Sequence, residues 1–349
     1  MAFPYFQPSR PSILFFSRGR GRGHAVPDLE IARQIIALRP EVQIHFVSYG
    51  TGGATIAARG WPLVDLGLPD DNSTAVTVVH AGRLIGALQP DLVVSHEEYA
   101  ALPAAAVFGR RALLLTDFFG EDGSFWMECQ WFAERILFLD HRGLHPEPAS
   151  AKGRTTYLRP VLRDFSWRRS DRRRARRELG LAEEGRVIGV MPGSWTEARA
   201  PLAERLLRAL PSGDQLVWLA GSDALLLKQM TSGRPRTTVL EHVWEIDRLM
   251  CACDLVVTKC NRMTVRELAA LGIRTLSVSY GRNAADERSI AGLRNNRTLQ
   301  PRQLTATALR RAMAEPEPRP VRWRAASCAD EILRRLEPAR TGADSQESA

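Results

Sequence analysis

The stretch ILFFSRGRGRGHAVPDLEIARQIIAL, residues 13–38, joins a short apolar segment to an amphipathic segment through three glycines. Residues 13–16 predict a strand, and the apolar positions 29, 32 and 36 lie on one face of a predicted helix. Pro27 suits the first turn of that helix, and the acidic Asp28 and Glu30 complement its dipole. In open α/β sheets, ligands bind where a strand ends and a helix begins, and backbone N–H groups there hold anions. The stretch therefore predicts an α/β fold with a binding turn after its first strand.

The glycine run departs from the common nucleotide-binding fingerprints. After Gly19 and Gly21, the sixth position of a G-x-G-x-x-G pattern holds His24, and the second predicted strand ends at residues 48–50 without an acid. No P-loop signature is present in the sequence. Three arginines stand in the run, but no aromatic residues are interleaved with them as in a nucleic-acid-binding segment. These departures disfavour an NAD enzyme, a P-loop nucleotide triphosphatase and a nucleic-acid partner.

His24 is the candidate catalytic residue of this stretch. It precedes the predicted helix, whose positive N-terminal field favours a neutral imidazole and hence a usable general base. A capping or packing histidine is the alternative that its position leaves open.

Short apolar strands alternate with helical patterns through both halves of the chain, which is typical of parallel sheets covered on both faces. We expect two doubly wound domains, over residues 11–158 and 159–336, followed by a disordered tail at 337–349. The predicted strands are 13–16, 42–47, 92–94, 112–115, 136–139, 187–190, 216–219, 238–240, 255–257 and 275–278. The predicted helices are 28–38, 74–88, 99–107, 124–134, 199–209, 223–230, 246–252, 263–271 and 285–294.

The net charge of +9 comes from arginine, since the 48 basic residues include only three lysines. Acidic lipids, phosphorylated ligands and solvated helix faces all fit this bias. The run at 168–179, RRSDRRRARREL, predicts a solvated helix, with a membrane-surface patch as its alternative. Five cysteines without a C-x-x-C pair disfavour a disulfide framework and a zinc site. We expect no metal site, no cofactor, and a cytoplasmic protein that is at most peripheral on the inner face of the membrane.

Five further segments carry chemical patterns. In the first half they are PDLVVSHEEYAALPAAAVFG at 90–109 and LLLTDFFG at 113–120. In the second half they are VMPGSWTEA at 190–198 and the long segment 240–272, which contains TKCNRMTVRELAALG, followed by YGRNAADERSIAGL at 280–293. Together with the glycine run, these segments stand in a fixed order along the chain.

This ordered set resembles the GT-B nucleotide-sugar glycosyltransferases, and most closely the branch with the N-acetylglucosaminyltransferase of peptidoglycan lipid synthesis, glycosyltransferase family 28. The resemblance covers about residues 13–297. It implies two Rossmann-like domains facing a central cleft, with the acceptor bound by the N-terminal domain and the nucleotide sugar by the C-terminal one.

The resemblance also implies the binding residues. Gly23 belongs to the acceptor-side glycine loop, Gly193 and Ser194 form a diphosphate-binding turn, and the backbone at Val243 meets the base. Glu267 would accept both hydrogens of a ribose diol, and Thr264 would meet a phosphate, although T-x-x-E is also a common capping pair. The residues expected to contact the sugar are Asp286, Glu287 and Arg288, although acids at a helix start are often only dipole partners.

On the acceptor side, Glu97, Glu98 and Asp117 follow predicted strands beside the expected cleft. We predict that Asp117 and Glu98 are the carboxylates that orient His24 or hold the acceptor.

The sequence departs from the family pattern at two places. Cys260 and Asn261 stand where the family has a glycine pair, and Arg288 stands where it often has Gln. Arg288 suits a charged sugar such as a uronic acid. These departures leave the sugar open and keep an inactive relative as an alternative.

The predicted reaction is metal-independent, inverting transfer of a sugar from a nucleotide diphosphate donor, with UDP expected, to a hydroxyl acceptor. A lipid-linked acceptor is one candidate that the resemblance implies. His24 would deprotonate the acceptor. The alternatives are a nucleotide-sugar hydrolase or epimerase on the same fold, and a non-catalytic binding relative.

Overall fold

The computed structural model describes residues 6–7, 9–70, 74–119, 124–192, 199–210, 213–281, 284–322 and 326–336. They form two compact units. The predicted tail at 337–349 and the predicted diphosphate turn at Gly193 and Ser194 lie outside the described residues.

The first unit is built on a sheet of seven parallel strands. The strands are β1 (Ser12–Ser17), β2 (Gln43–Ser48), β3 (Leu63–Asp65), β4 (Leu92–His96), β5 (Arg111–Thr116), β6 (Arg135–Phe138) and β7 (Thr155–Tyr157). The helices are α1 (Ala25–Leu38), α2 (Gly50–Ala57), α3 (Thr74–Leu88), α4 (Ala101–Val107) and α5 (Phe125–Cys129), and a 3₁₀ turn covers Gln130–Phe132. The strand order is β3-β2-β1-β4-β5-β6-β7. Because β1 lies between β2 and β4, the chain reverses its direction of winding there, and the crevice at their carboxyl ends is the expected ligand site.

The second unit repeats this order with six parallel strands. The strands are β8 (Val187–Met191), β9 (Gln215–Leu219), β10 (Thr237–Leu240), β11 (Leu255–Lys259), β12 (Arg274–Val278) and β13 (Asn296–Leu299). The helices are α6 (Arg172–Glu178), α7 (Arg199–Ala209), α8 (Ala224–Thr231), α9 (Ile246–Ala252), α10 (Arg262–Leu271), α11 (Ala284–Ile290) and α12 (Ala306–Ala314). The order β10-β9-β8-β11-β12-β13 places β8 between β9 and β11, so this sheet has the same reversal point.

The last helix, α13 (Ala326–Leu336), packs on the first unit. Its side chains Cys328, Ala329, Ile332 and Leu333 are buried with Ile31 of α1 and the strands beneath. These positions lie on one face of a helix, which must be covered by another apolar surface. The prediction that residues 159–336 form one domain is therefore wrong at its end, and the first unit also extends to Arg163 rather than residue 158.

The arginine-rich run is the predicted helix, α6, but it is not wholly solvated. Arg176 is buried, donates to the carbonyl of Ala252, and pairs with Asp254 at 2.7 Å. Arg173 and Arg174 pair with Glu184 and Asp171. Because the run is matched by nearby acids, its charge does not form the unbalanced basic patch that a membrane surface would attract.

Candidate functional site

The glycine loop after β1 is fixed by close backbone contacts. A Cβ at Gly19 would lie 2.3 Å from the carbonyl oxygen of Tyr49, so this position admits only glycine. Gly21 has a φ of 69°, which also favours glycine. Its N–H donates to Asp70 Oδ2 at 3.2 Å, and the same carboxylate accepts from the N–H of Thr51. The loop therefore holds a carboxylate of its own chain, and its exposed Gly23 leads directly into His24.

His24 is held by a carboxylate from the end of β4. Its Nε2 lies 3.0 Å from Glu97 Oε2. The other carboxylate oxygen of Glu97 accepts from Thr116 Oγ1 at 2.9 Å and from the N–H of Asp117 at 3.4 Å. Glu97 has a φ of 53°, in the left-handed region, which non-glycine residues adopt at a cost in strain. The chain thus turns at Glu97 and brings its side chain to His24.

The charge of Glu97 is set by its neighbours. Burial alone would raise the pKa of its carboxyl, but the hydrogen bond and charge of His24, with His96 and Arg18, lower that pKa well below its usual range. Glu97 is therefore an anion at neutral pH, and an anion beside an imidazole stabilises the cation that forms when the imidazole takes a proton.

A second pair lies beneath His24. His96 Nδ1 is 2.5 Å from Asp28 Oδ1, and Ser17 Oγ donates to Asp28 Oδ2 at 2.5 Å. All three side chains are buried, and the rings of His24 and His96 meet edge to face at 4.7 Å. Burial alone would lower the pKa of His96, but the Asp28 carboxylate raises it above its ordinary value. Asp28 is therefore more than the dipole partner that the sequence predicted.

Of the two roles predicted for Asp117 and Glu98, orienting His24 is corrected by this geometry, because Glu97 makes that contact. Their other predicted role, holding the acceptor, stays a prediction. Glu98 is buried and accepts a hydrogen bond from Tyr49 Oη at 3.0 Å. Burial raises the pKa of Glu98 to about 7, although the Tyr49 hydrogen bond and Arg18 oppose the shift. Asp117 lies at the end of β5 beside Glu97.

The capping interpretation of His24 is wrong as well. His24 is the residue before α1, yet its side chain makes no capping hydrogen bond. Its Nδ1 is buried and, within the described chain, has no hydrogen-bond partner.

In the second unit, the candidate donor residues surround the start of α10. The N-cap is Asn261, whose side chain accepts from the N–H of Thr264 at 3.3 Å. Thr264 therefore lies inside the first turn, and the capping-pair interpretation of Thr264 and Glu267 is wrong. Glu267 is buried one turn further along the helix. Asn261, one of the two departures from the family pattern, stabilises the helix start.

The acidic segment joins α11 to the same edge of the sheet. Asp286 pairs with Arg262 at the start of α10, and Glu287 accepts a hydrogen bond from Ser279 after β12. These contacts go beyond the dipole role that was the alternative for both acids. Arg288 is exposed. Burial lowers the pKa of Lys259, at the end of β11, while the charge of Asp286 opposes the shift.

Two other predicted positions lie near these elements. Val243 is buried after β10, between His242 and Trp244, whose rings meet edge to face at 4.7 Å. Cys260 is half-buried, and burial together with Glu287 raises the pKa of its thiol to about 12, so the thiol is protonated at neutral pH.

Among the described residues, no group of three or more His, Cys, Asp or Glu side chains could hold a metal ion. None of the helices described is long and apolar enough to cross a membrane.

Comparison with curated proteins finds N-acetylglucosaminyltransferases. The UDP-N-acetylglucosamine–N-acetylmuramyl-(pentapeptide) pyrophosphoryl-undecaprenol N-acetylglucosamine transferase of Salinibacter ruber is 30% identical over 315 residues, which cover 83% of this chain and 81% of the relative. The chain belongs to this transferase family. No family model matches it. The prediction of a glycosyltransferase is thereby confirmed.

Solved structures agree on the fold. The glycosyltransferase SnogD from Streptomyces nogalater has a TM-score of 0.65 at 19% identity, over 94% of this chain and all of that one. MurG from Acinetobacter baumannii has a TM-score of 0.57 at 17% identity, over 93% of this chain and 99% of that one. The predicted GT-B fold class, with two Rossmann-like parts, is confirmed for this family member.

The histidine–carboxylate pair was only partly visible in the sequence. Glu97 and Glu98 are adjacent residues of the same type, so the sequence does not show which of them contacts His24. The left-handed backbone at Glu97 sends the two side chains in different directions, and residue types do not reveal it. The Asp28–His96 pair joins positions 68 residues apart.

Proposed function

We propose that the protein catalyses inverting transfer of a sugar from a UDP-sugar to a hydroxyl of a lipid-linked acceptor. Its family membership supports the reaction class, and the activity for which its Salinibacter relative is named suggests the donor and acceptor. The observation that carries the mechanism is the 3.0 Å contact between His24 Nε2 and Glu97 Oε2.

His24 acts as the general base. Donation of Nε2–H to the Glu97 anion fixes the imidazole tautomer and leaves the lone pair on Nδ1. Because Nδ1 is buried, binding of the acceptor must expose it before it can accept a proton. The acceptor oxygen attacks the anomeric carbon as its proton passes to His24, and the bond from that carbon to the diphosphate breaks. Glu97 contacts the base rather than the substrate, so it is a positioning residue.

The second unit holds the donor. By resemblance, the buried Glu267 binds the ribose, Val243 lies at the base, and Gly193 and Ser194 meet the diphosphate. Cationic Arg262 and the positive end of α10 favour the negative charge that develops on the leaving group. Asp286, Glu287 and Arg288 are the proposed sugar contacts. No step in this scheme needs a metal ion.

An exposed aromatic surface of the first unit supports a lipid-linked acceptor. It comprises Phe125, Trp126, Trp131 and Phe132, which are 36–63% exposed. Arg18 lies over Trp126 at 5.5 Å and also approaches Glu97 at 3.7 Å, so this surface adjoins the base. Arg154 lies over Trp131. Aromatic and arginine side chains of this kind suit the boundary between lipid and water. We infer that the enzyme works as a peripheral protein on the inner face of the membrane.

The test is a transfer assay with UDP-N-acetylglucosamine and a lipid-linked acceptor carrying a free sugar hydroxyl. We expect His24→Ala to lower kcat by about 10²- to 10⁴-fold, the usual contribution of a general base, while UDP affinity is unchanged. Calorimetry should show that Glu267→Gln weakens UDP binding by about tenfold or more, because a buried acceptor for the diol is lost. The exposed Glu204→Gln on α7 is the matched control.

The products separate the alternatives. Free sugar formed equally with and without acceptor contradicts transfer and indicates a hydrolase, and an altered sugar nucleotide indicates an epimerase. Failure of wild-type protein to bind any nucleotide sugar contradicts the donor site and indicates a non-catalytic relative.

A further inference from the structure

An arginine-lined cavity of about 650 Å³ lies in the second unit, at the amino ends of β12 and β13. Its floor is formed by the first residues of these strands and the loop before β13, and its wall by the segment 315–321 after α12. The candidate donor residues follow the opposite, carboxyl ends of β11 and β12. Four residue steps along β12 separate the two edges by about 13 Å. The cavity is therefore distinct from the transferase site.

The wall is held in place by hydrogen bonds to the body of the unit. Arg274 donates from Nε to the carbonyl oxygen of Glu315 at 3.1 Å, and Arg297 pairs with the Glu315 carboxylate. Glu317 pairs with Arg169 at 3.3 Å and with Arg172 at 3.1 Å. Both acids of the lining are thus neutralised by arginines, so the cavity is built before any ligand enters.

Two further arginines of the lining keep their charge available. Arg294 and Arg319 are exposed, and the described chain offers neither of them a carboxylate within ion-pair distance. The part of the lining that the structure describes carries four arginines and two acids, so its net charge is positive. A guanidinium presents its donors in a planar fork that matches phosphate oxygens.

The cavity also contains a buried acceptor without a donor. Asn295 is 7% exposed, and its Nδ2 donates to the carbonyl of Ile273 at 3.0 Å and to Thr275 Oγ1 at 3.2 Å. These bonds orient the amide, and its Oδ1 has no hydrogen-bond partner in the described chain. A buried acceptor is normally satisfied, so this oxygen calls for a donor from a ligand.

We propose that this cavity binds a phosphorylated polyol. The phosphate would lie between Arg294 and Arg319, and a hydroxyl of the ligand would donate to Asn295 Oδ1. Among the described residues of the lining there is no aromatic side chain on which a nucleobase would stack, and the volume is in the range of small-molecule sites. This chemistry is shared by a soluble polyol phosphate and by a glycerophosphate lipid headgroup.

The test measures binding of inorganic phosphate and of glycerol 3-phosphate to the full chain by calorimetry. We expect glycerol 3-phosphate to bind more tightly than phosphate, because only the former supplies a hydroxyl for Asn295. The double variant R294Q/R319Q should weaken glycerol 3-phosphate binding by about tenfold or more, since charge-assisted hydrogen bonds are lost. The double variant R302Q/R310Q removes the same charge from exposed arginines outside the lining and should bind as wild type does.

Absence of glycerol 3-phosphate binding by the wild-type protein would overturn the proposal. Equal loss of affinity in both double variants would also overturn it, because binding would then depend on the overall positive charge of the protein and not on the cavity. Equal affinity for phosphate and glycerol 3-phosphate would overturn the role of Asn295. Vesicles containing phosphatidylglycerol distinguish the sources. Vesicle binding that R294Q/R319Q abolishes and that glycerol 3-phosphate competes for assigns the headgroup, whereas glycerol 3-phosphate binding without vesicle binding assigns the soluble polyol phosphate. UDP binding should be unchanged in R294Q/R319Q, so this outcome is independent of the proposed transferase site.

Discussion

The ends of β4 and β11 occupy equivalent places in the two sheets, since each strand lies next to the first strand of its unit. The chain after β4 places a carboxylate on a histidine, with a second buried histidine–carboxylate pair beneath it. The chain after β11 instead begins a helix, with a cap at Asn261 and an ion pair between Arg262 and Asp286.

This difference shows how one topology serves two kinds of chemistry. Groups that can exchange a proton, or that adjust one another's pKa, gather after β4. In the proposed function the chain after β11 faces the leaving diphosphate, where the helix N-terminus supplies positive potential and Arg262 is paired with Asp286. Substitutions can test this comparison. After β4, changes at Glu97 and Glu98 separate an effect on proton transfer from an effect on stability. After β11, changes at Asn261 measure the helix cap.

The largest effect is expected from Glu97→Gln. Loss of the anion beside His24 should lower kcat by about 10²-fold with little change in UDP affinity. Steady-state kinetics across pH 5–9 check this expectation.

Glu98→Gln makes the same change one residue along and should alter kcat by no more than about threefold. If the two variants lose activity equally, or if Glu98→Gln loses more, the assignment of Glu97 as the positioning residue is wrong.

The second effect concerns stability. Because burial raises the pKa of Glu98 to about 7 from 4.5, its contribution to stability is present below pH 4.5 and is lost as the pH rises through 7. Glu98→Gln removes this titration. Relative to wild type, the variant should therefore gain about 2 kcal/mol between pH 5 and pH 8. Urea unfolding at both pH values measures the difference, and a difference that does not depend on pH would contradict it.

The smallest effect is expected at the cap of α10. Asn261→Ala should lower the free energy of unfolding by about 1 kcal/mol, because the side chain that accepts from the N–H of Thr264 is removed. Asn261→Gly, which restores the residue type of the family pattern, should cost only a few tenths of a kcal/mol. Thermal denaturation compares the two variants with the wild type, and an unchanged stability of Asn261→Ala would show that the cap contributes nothing.

The sequence predicted the central elements well and the peripheral ones poorly. The helices Thr74–Leu88 and Arg199–Ala209 have the predicted bounds. The strands β3, β7 and β13 were missed, because short strands at the ends of a sheet carry few buried residues. The glycine-rich helix α2 was missed because its residues have low helix propensity, which tertiary contacts override.

The candidate site was predicted in part. His24, Glu267 and the acidic pair at 286–287 were identified from ordered motifs, and the structure describes all of them at carboxyl edges of their sheets or on the helices that follow. The partner of His24 was assigned to the wrong carboxylates, since a left-handed turn at Glu97 cannot be inferred from residue types.

The sequence by itself determined the alternation of strands and helices, the family, and the histidine after the first glycine loop, because periodicity, glycine spacing and motif order are local properties of a chain. Only the tertiary structure decided that Glu97 meets His24, that Asp28 meets His96, and that α13 packs on the first unit. Each of these contacts joins positions that are far apart in sequence and that folding brings together. Away from water, a buried charge must be paired and an apolar face must be covered, and this requirement selects one set of contacts over the alternatives.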